Sequence, residues 1–283
     1  MLRPILPRAR FCLNTFRRSL VTVPEINPNF NNGVPGLLSP EGFNIAWTQY
    51  QSLMVEKLNR LVAGGTQASK APKEILIHYA RDPDFAPHFN HASMAFNNHF
   101  FFESLAHRVS PEPTVMPEAL QVELVRSFGS IETLKKEFIA TATSMFGPGF
   151  VWLMKTRDGK YTILCTYLAG SPFPGAHYRK QAVDMNTEDK SVSDSIRRLN
   201  RQDPVNKVGA FGQFSQTKVA PGGIDITPVL CINMWEHVYL PDYGVGAGGA
   251  GGKKLYATSW WDAIDWAKVA ERAKPAQPKQ LLS

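Results

Sequence analysis

The feature that most constrains the fold is a change of periodicity near residue 117. Upstream, apolar residues such as Leu58 and Leu61 recur at helical spacing. Downstream, three short apolar runs rich in β-branched and aromatic residues are typical of strands. These runs are residues 150–156, 161–168 and 226–234. The sequence therefore predicts an α+β fold: an N-terminal helical hairpin, then a three-stranded antiparallel sheet with helices.

Turn and capping residues place the boundaries of these elements. Ser39-Pro40-Glu41 is typical of a helix start, Gly64-Gly65 predicts the end of that helix, and Asp158-Gly159 predicts a hairpin turn. Residues 82–90 are turn-rich. Further helices are expected at 73–80, 93–107, 117–128, 130–145 (with Ser130 as N-cap) and 257–272.

Composition divides the chain into four parts. We expect a targeting sequence, a helical hairpin domain, an α+β domain and a short tail, at residues 1–24, 25–110, 111–273 and 274–283. Within the α+β domain, the polar stretch 174–224 is too long for an ordinary connection and is expected to be a functional or disordered insertion. The glycine-rich run 244–254 is expected to be a flexible loop, because it has no phosphate-binding Lys-Ser/Thr ending.

The first 24 residues are typical of a mitochondrial targeting sequence. Acidic residues are absent before Glu25, and apolar residues are interleaved with arginines. The arginines are Arg3, Arg8, Arg10, Arg17 and Arg18, and they supply most of the formal net charge of +7. Cleavage is expected shortly after Arg17-Arg18. The alternative is a basic arm that is retained and binds polyanions.

The rest of the chain excludes some functional classes. Its near-neutral charge does not by itself argue for phosphate binding, and no apolar run is long enough to span a bilayer. Cys165 and Cys231 lie in the strand-like runs, where buried free thiols of a reducing compartment are expected.

Five stretches, in order, resemble the iron/manganese superoxide dismutase family over about residues 39–272. Residues 38–59 and 256–273 are similar to the family's first and closing helices. The other three stretches are similar to its Asn-His-x-x-Phe-Trp-x-x-Leu, Phe-Gly-Ser and Asp-x-Trp-Glu-His-Ala-Tyr motifs. They are NNHFFFESL (97–105), SFGSIETLKKEFIATATSMFGPGFVWL (127–153) and NMWEHVYLPDY (233–243).

The resemblance implies a redox metal held by three histidines and one aspartate, and this chain departs from that set. The ligand positions fall on Ala46, Asn98, Asn233 and His237. A slip of one residue would put His99 in place of Asn98. Neither alanine nor asparagine supplies the charge or the imidazole that iron or manganese needs. We therefore expect no metal, no cofactor and no catalytic residue. The gateway tyrosine and outer-sphere glutamine of the family fall on Met54 and near Ala169.

Two further groups are candidate contact sites. In the family, the Glu of the Trp-Glu-His motif reaches the partner subunit's ligand histidine, so Glu236 and His237 are candidates for a dimer interface. The alternative is that His237 is a residual core histidine. Arg197, Arg198 and Arg201 in the insertion are candidates for contact with phosphate groups. The alternative there is a solvated helix face, since acidic residues flank them.

His88 and His91 invite a metal site, but no third ligand stands at a fixed spacing from them. An ordinary capping or surface role is expected instead.

Together these features resemble the fungal mitochondrial small-subunit ribosomal proteins that are built on the dismutase fold. The resemblance implies a non-enzymatic, structural role in the mitochondrial matrix. The implied partners are small-subunit proteins, rRNA and a second dismutase-fold ribosomal protein, with no membrane. The competing hypotheses are a divergent mitochondrial Fe/Mn superoxide dismutase and a free-standing pseudoenzyme of the matrix.

Overall fold

A computed structural model describes residues 21–26, 28–80, 82–106, 113–173, 226–249 and 251–274. Most of the expected targeting sequence and of the tail lies outside these ranges, as does the whole insertion with Arg197, Arg198 and Arg201. Among the described residues, no helix combines the length and the hydropathy needed to cross a bilayer.

The N-terminal part is a set of helices packed around one antiparallel pair. Helix α1 (Pro40–Phe43) continues through a π-helical segment (Asn44–Gln49) into α2 (Tyr50–Val62). Helix α3 (Pro72–Tyr79) and a 3-10 turn (Pro83–Phe85) lead into α4 (Ala86–Glu103). The start of α4 lies beside the end of α2, where His88 Nε2 is 3.1 Å from the carbonyl oxygen of Leu61, so α2 and α4 run antiparallel.

Capping explains where these helices begin. Ser39 caps α1: its Oγ accepts a hydrogen bond from the Gly42 amide at 3.0 Å, and Pro40 occupies the first turn. The expected turn at 82–90 ends earlier than the sequence suggests, because α4 already begins at Ala86. Pro87 lies in the first turn of α4, where its missing N–H costs no hydrogen bond.

The C-terminal part contains two helices followed by the sheet. Helices α5 (Glu118–Phe128) and α6 (Ile131–Ser144) are separated by Gly129, and Ser130 caps α6 as its sequence predicts. Strands β1 (Gly149–Thr156), β2 (Tyr161–Tyr167) and β3 (Ile226–Asn233) form an antiparallel sheet in the order β2-β1-β3. The predicted α+β class is thereby confirmed.

Two glycines allow the close chain approaches in this sheet. Gly159, with φ +81°, completes the turn between β1 and β2, where Lys155 pairs with Tyr161. Gly149 begins β1, and a Cβ there would lie 2.2 Å from the carbonyl oxygen of Thr166. Any side chain at 149 would therefore push β2 away from β1.

Among the described residues after the sheet there are three more helices: α7 (Glu236–Tyr243), α8 (Gly252–Asp262) and α9 (Trp266–Ala273). The single helix expected at 257–272 is divided, because Asp265 caps α9 through bonds from the amides of Ala267 and Lys268. The expected glycine-rich loop 244–254 is shorter than the sequence suggests, since α8 begins at Gly252.

The core lies between the sheet and the helices on both of its sides. Strand β1 is central, and its residues Phe150–Met154 are wholly buried. Arg272 on α9 links the C-terminal part to the N-terminal part. It donates hydrogen bonds to Ser104 Oγ at 2.6 Å and to Glu103 Oε2 at 2.7 Å. Its guanidinium group lies 3.7 Å from the centre of the Phe100 ring.

The two described cysteines are free, but only Cys231 is buried. The expectation of a buried Cys165 is wrong, because this residue lies at an exposed position of β2, most of whose residues are only partly buried or exposed.

Candidate functional site: a buried amide network

The positions singled out in the first helix, in α4 and at the end of β3 meet in the core. Asn98 Nδ2 donates to the carbonyl oxygen of Ala46 at 3.1 Å, and Asn233 Nδ2 donates to Asn98 Oδ1 at 3.1 Å. All three residues are fully buried. The structure therefore brings Ala46, Asn98 and Asn233 together across 187 positions of sequence, the span from 46 to 233.

Gln51 is a fourth member that the sequence did not reveal. Its Oε1 accepts a hydrogen bond from Asn98 Nδ2 at 3.1 Å, and its Nε2 donates to the carbonyl oxygen of Ala95 at 2.9 Å. Gln51 is 1% exposed, although the neighbouring Gln49 and Ser52 are exposed. The only signal in the sequence was a polar residue on the inward face of α2. The π-helical segment shifts that face, so regular helical spacing did not identify it.

The network has a fixed direction. It begins at the backbone N–H of Trp235, which donates to Asn233 Oδ1 at 3.0 Å. It then runs from Asn233 through Asn98 to Gln51 and ends on the carbonyl of Ala95. A backbone donor stands at one end and a backbone acceptor at the other, so none of the three amides can be reversed without losing bonds.

Each side-chain nitrogen and oxygen of these three amides thus has a partner within the protein. Buried polar groups are costly when unpaired and rigidify a core when fully paired. The network is neutral and self-contained, and it links α2, α4 and the end of β3.

His237 lies beside this network in an aromatic pocket. Its ring stacks on Tyr50 with 4.1 Å between ring centroids, and the Trp235 ring is 5.8 Å away. Its Nε2 is buried with no hydrogen-bond partner among the described residues. Burial lowers the pKa of His237 to about 4, so the imidazole is neutral at physiological pH. Burial also raises the pKa of Tyr50 to about 12.

The alternative histidine, His99, does not take part in the network. It faces Trp47 at a centroid distance of 6.0 Å. Desolvation lowers the pKa of His99, and the nearby Glu103 carboxylate opposes that effect. Asn98, and not His99, therefore occupies the position beside Ala46 and Asn233.

The pair His88 and His91 does not converge on a metal site. His88 contacts the Leu61 carbonyl, and His91 Nδ1 lies 2.7 Å from the carbonyl of Pro87 in its own helix. In the part of the chain that the structure describes, no group of three His, Cys, Asp or Glu side chains is placed to hold a metal ion.

Comparison with known proteins relates the C-terminal part of the chain to a family. The model of the iron/manganese superoxide dismutase C-terminal domain matches residues 116–183 and 201–272. Over these residues, just under half of the chain, the protein is similar to the iron/manganese superoxide dismutase family.

Two named relatives of this dismutase-fold chain are ribosomal. It is 28% identical to small ribosomal subunit protein mS43 of Schizosaccharomyces pombe over 94% of this chain and 87% of the relative. It is 28% identical to small ribosomal subunit protein mS42 of the same yeast over 75% and 78%. Similarity to an iron superoxide dismutase of Escherichia coli is 26% identity over 83% and 89%.

The donor set present here does not fit the metal of the dismutase family. Two carboxamides and one neutral imidazole bring no negative charge to offset a di- or trivalent ion. The amide oxygens already accept hydrogen bonds from Trp235 and Asn233, and the amide nitrogens point at carbonyl oxygens. An ion at this place would have to break the network that holds α2, α4 and β3 together.

The positions of the family's gateway tyrosine and outer-sphere glutamine line a single pocket. Met54 and Ala169 meet there with Met94 and Trp235 around about 390 Å³. Met54 and Ala169 therefore do not supply the hydroxyl and the amide that the resemblance implies at these two positions.

Exposed apolar side chains lie at the end of the sheet from which the Glu236–His237 segment continues. Glu236 is partly exposed in the first turn of α7. At the same end of the sheet, the loop that enters β1 carries Phe146, which is 95% exposed, and Leu168 after β2 is 60% exposed. The loop before β1 and the residues after β2 are joined by a hydrogen bond of 2.9 Å from the Leu168 amide to the carbonyl of Pro148. Exposed aromatic and aliphatic groups of this kind are typical of a protein contact surface.

Proposed function

We propose that this protein is a structural component of the small subunit of the mitochondrial ribosome, a dismutase-fold scaffold without catalytic activity. The observation that carries the proposal is the Gln51–Asn98–Asn233 network, which fills the expected metal position with paired, uncharged amides. A redox enzyme of this family needs a metal there, whereas a scaffold needs only a well-packed core.

The relatives support the ribosomal role. Two small-subunit ribosomal proteins match the chain over three quarters of its length or more, at slightly higher identity than the dismutases. The arginine-rich, acid-free residues 1–24 are consistent with import into mitochondria. In this role the rRNA contacts would include Arg197, Arg198 and Arg201 of the insertion.

The expected partner is a second dismutase-fold protein of the same subunit, held at the Glu236–His237 surface. Within the described residues, His237 Nε2 is buried without a hydrogen-bond partner, and Glu236 is partly exposed. A carboxylate from the partner next to His237, with Glu236 reciprocally next to the partner's imidazole, would give these groups the pairing that buried polar groups require. Phe146 and Leu168 would lose their contact with water in the same interface.

Co-sedimentation tests the proposal. The tagged protein is followed from mitochondrial lysate on sucrose gradients, at moderate and then at high salt. Migration with the small subunit at both salt concentrations is expected for an integrated ribosomal protein. Migration only at moderate salt would indicate a peripheral, mostly electrostatic association. Recovery near the top of the gradient at both concentrations would reject the ribosomal role and favour a free-standing pseudoenzyme.

The divergent dismutase remains the second candidate because of the similarity to iron superoxide dismutases. It requires bound iron or manganese in the folded protein. Elemental analysis of the purified, folded chain distinguishes the two: a metal-free preparation is expected for the scaffold, and stoichiometric iron or manganese with dismutase activity would overturn it.

A further inference from the structure

Two neighbouring open grooves run along one side of the C-terminal part. The first lies between α6 and α8 and has a volume of about 560 Å³. The second has a volume of about 430 Å³ beside the glycine-rich loop and is lined by Glu236 and Leu240 on α7. Thr143 and Lys254 line both grooves, which we together call the α6–α8 channel. One end of the channel therefore lies at the proposed partner surface.

The two helices that form the walls run antiparallel. Lys135 near the start of α6 contacts Asp262 at the end of α8, with 3.3 Å between Nζ and Oδ1. At the other end, Lys253 Nζ donates to the carbonyl of Met145 at 2.7 Å. Helix α6 has 14 residues, which corresponds to a length of about 21 Å. A wall of that length accommodates roughly six residues of an extended chain.

The lining of the channel between α6 and α8 combines apolar and mainly basic side chains. Ile139 and Ala140 are its apolar members, and Lys135, Lys136 and Lys254 outnumber its one carboxylate, Glu132. Such a lining matches a segment that carries both apolar side chains and carboxylates, because it can bury the former and pair the latter.

Several lysine charges of the channel are available to a ligand. Lys136 pairs with Glu132 at 3.7 Å, but both side chains are more than 60% exposed, and ion pairs of this kind contribute little. Lys254 has no carboxylate partner within the described residues, and the partner of Lys253 is an uncharged carbonyl. Lys135 is paired with Asp262, so carboxylates brought by another chain would meet chiefly Lys253 and Lys254, which have no carboxylate partner within the described residues.

The same lining favours a peptide over RNA as the occupant. A phosphate backbone would leave Ile139 and Ala140 without apolar contacts. A peptide can cover these two residues with apolar side chains of its own.

We propose that the α6–α8 channel holds an extended, acidic segment of the protein that occupies the Glu236–His237 surface. This inference rests on the proposed function, since it assigns the occupant to the same partner. The segment leaves the interface beside Leu240, crosses the glycine-rich loop and lies between α6 and α8.

Site-specific photo-crosslinking in assembled small subunits tests it. A photoreactive amino acid replaces Thr258 in the middle of the channel or, in a separate chain, Leu240 at the interface end. Mass spectrometry then identifies what each probe labels. Labelling of one and the same protein from both positions, through an acidic peptide at Thr258, is expected.

The other outcomes separate the two proposals. If the Leu240 probe labels a protein while the Thr258 probe labels rRNA, a different protein or nothing, the channel proposal is overturned and the proposed function stands. If the chain fails to enter the subunit and neither probe labels a ribosomal component, the proposed function itself fails.

Charge reversal supplies the matched control. Lys254→Glu is expected to reduce the Thr258 crosslink ~tenfold, equivalent to about 1.4 kcal/mol. Its folding is not expected to suffer, because an acid near the start of α8 suits the helix dipole. Lys57→Glu, on the exposed face of α2, makes the same charge change outside the channel and should leave the crosslink unchanged. Equal effects of the two variants would contradict the proposal.

Discussion

Restoring the family's carboxylate tests the amide network most directly. Asn233 Nδ2 donates to Asn98 Oδ1 at 3.1 Å in a fully buried site. Asn233→Asp replaces that donor by an oxygen that faces another oxygen. Asn98 cannot turn its amide to compensate, because its nitrogen is held by the carbonyl of Ala46 and by Gln51 Oε1. We therefore expect the variant to fold with a substantial loss of stability at neutral pH.

The magnitude follows from burial. A fully buried carboxyl group has its pKa raised by about 3 units or more, and each unit corresponds to about 1.4 kcal/mol. Allowing for local relaxation, we expect a loss of about 3–4 kcal/mol in the free energy of unfolding at pH 7 to 8. The lost hydrogen bond is part of this penalty, since a protonated aspartic acid can donate to Asn98 Oδ1 again.

The sign of the pH dependence follows from the raised folded-state pKa. Below the unfolded pKa of about 4 the carboxyl is protonated in both states, and the penalty is small. As the pH rises toward the folded-state pKa, the penalty grows by about 1.4 kcal/mol per pH unit, and above that pKa it is constant.

Urea denaturation of the purified wild-type and variant chains between pH 5 and 8 measures this difference. Asn90→Asp, an exposed change of the same chemistry on α4, is the control and should cost within about 0.5 kcal/mol at every pH. A penalty for Asn233→Asp that does not change with pH would refute the reasoning. So would a gain in stability when manganese or iron is added, which would favour a latent metal site.

Three further predictions follow from other contacts. Burial lowers the pKa of His237 to about 4, below its unfolded value. The stability of the isolated chain should therefore be unaffected by His237 above about pH 6.5 and should fall as the pH drops toward 4, because the folded state resists protonation of this imidazole. NMR titration should show the pKa of His237 rising when the partner carboxylate binds, and an unchanged pKa would argue against the interface. Arg272→Ala removes hydrogen bonds to Ser104 and Glu103 and the contact with Phe100, and it should lower the free energy of unfolding by about 2–3 kcal/mol. The control Lys268→Ala removes only ion pairs with Glu103 and Glu271 and should cost about 1 kcal/mol or less. Equal losses in urea titrations would contradict the conclusion that Arg272 links the two halves of the protein. The backbone of Val21 forms two hydrogen bonds of 2.9 Å with the Asn59 side chain, so Val21 belongs to the folded protein. Mass spectrometry of the mitochondrial protein should therefore find the mature N-terminus between Arg17 and Val21. An N-terminus at Met1 would instead favour the retained basic arm.

Local sequence signals were sufficient for much of the fold. Ser39 and Ser130 were predicted as helix caps, and both accept the bond from a following backbone amide that the cap requires. Asp158-Gly159 was predicted as a turn, and it joins β1 to β2. Such signals depend on residues one to four positions apart, which is why they can be found without a partner from elsewhere in the chain.

Signals of this kind failed where distant contacts decide. The helix predicted over 257–272 is interrupted near Asp265, and there the backbone pairs with other elements: the Ala106 amide donates to the carbonyl of Ala263, and the Asp265 amide to that of Ser104. Nothing in the local spacing of apolar residues indicates such a break. The early start of α4 is not evident from the stretch 82–90, because its composition is turn-rich although Pro87 fits the first turn of a helix.

The sequence by itself determined the α+β class, the family resemblance and the chemical identity of the side chains at the ligand positions, because composition, period and motif order are properties of the linear chain. It could not choose between Asn98 and His99 or identify Gln51. Only the tertiary structure made those choices, because a hydrogen bond depends on the distance between atoms, and residues 46, 51, 98 and 233 come within bonding distance only after α2, α4 and β3 have packed together.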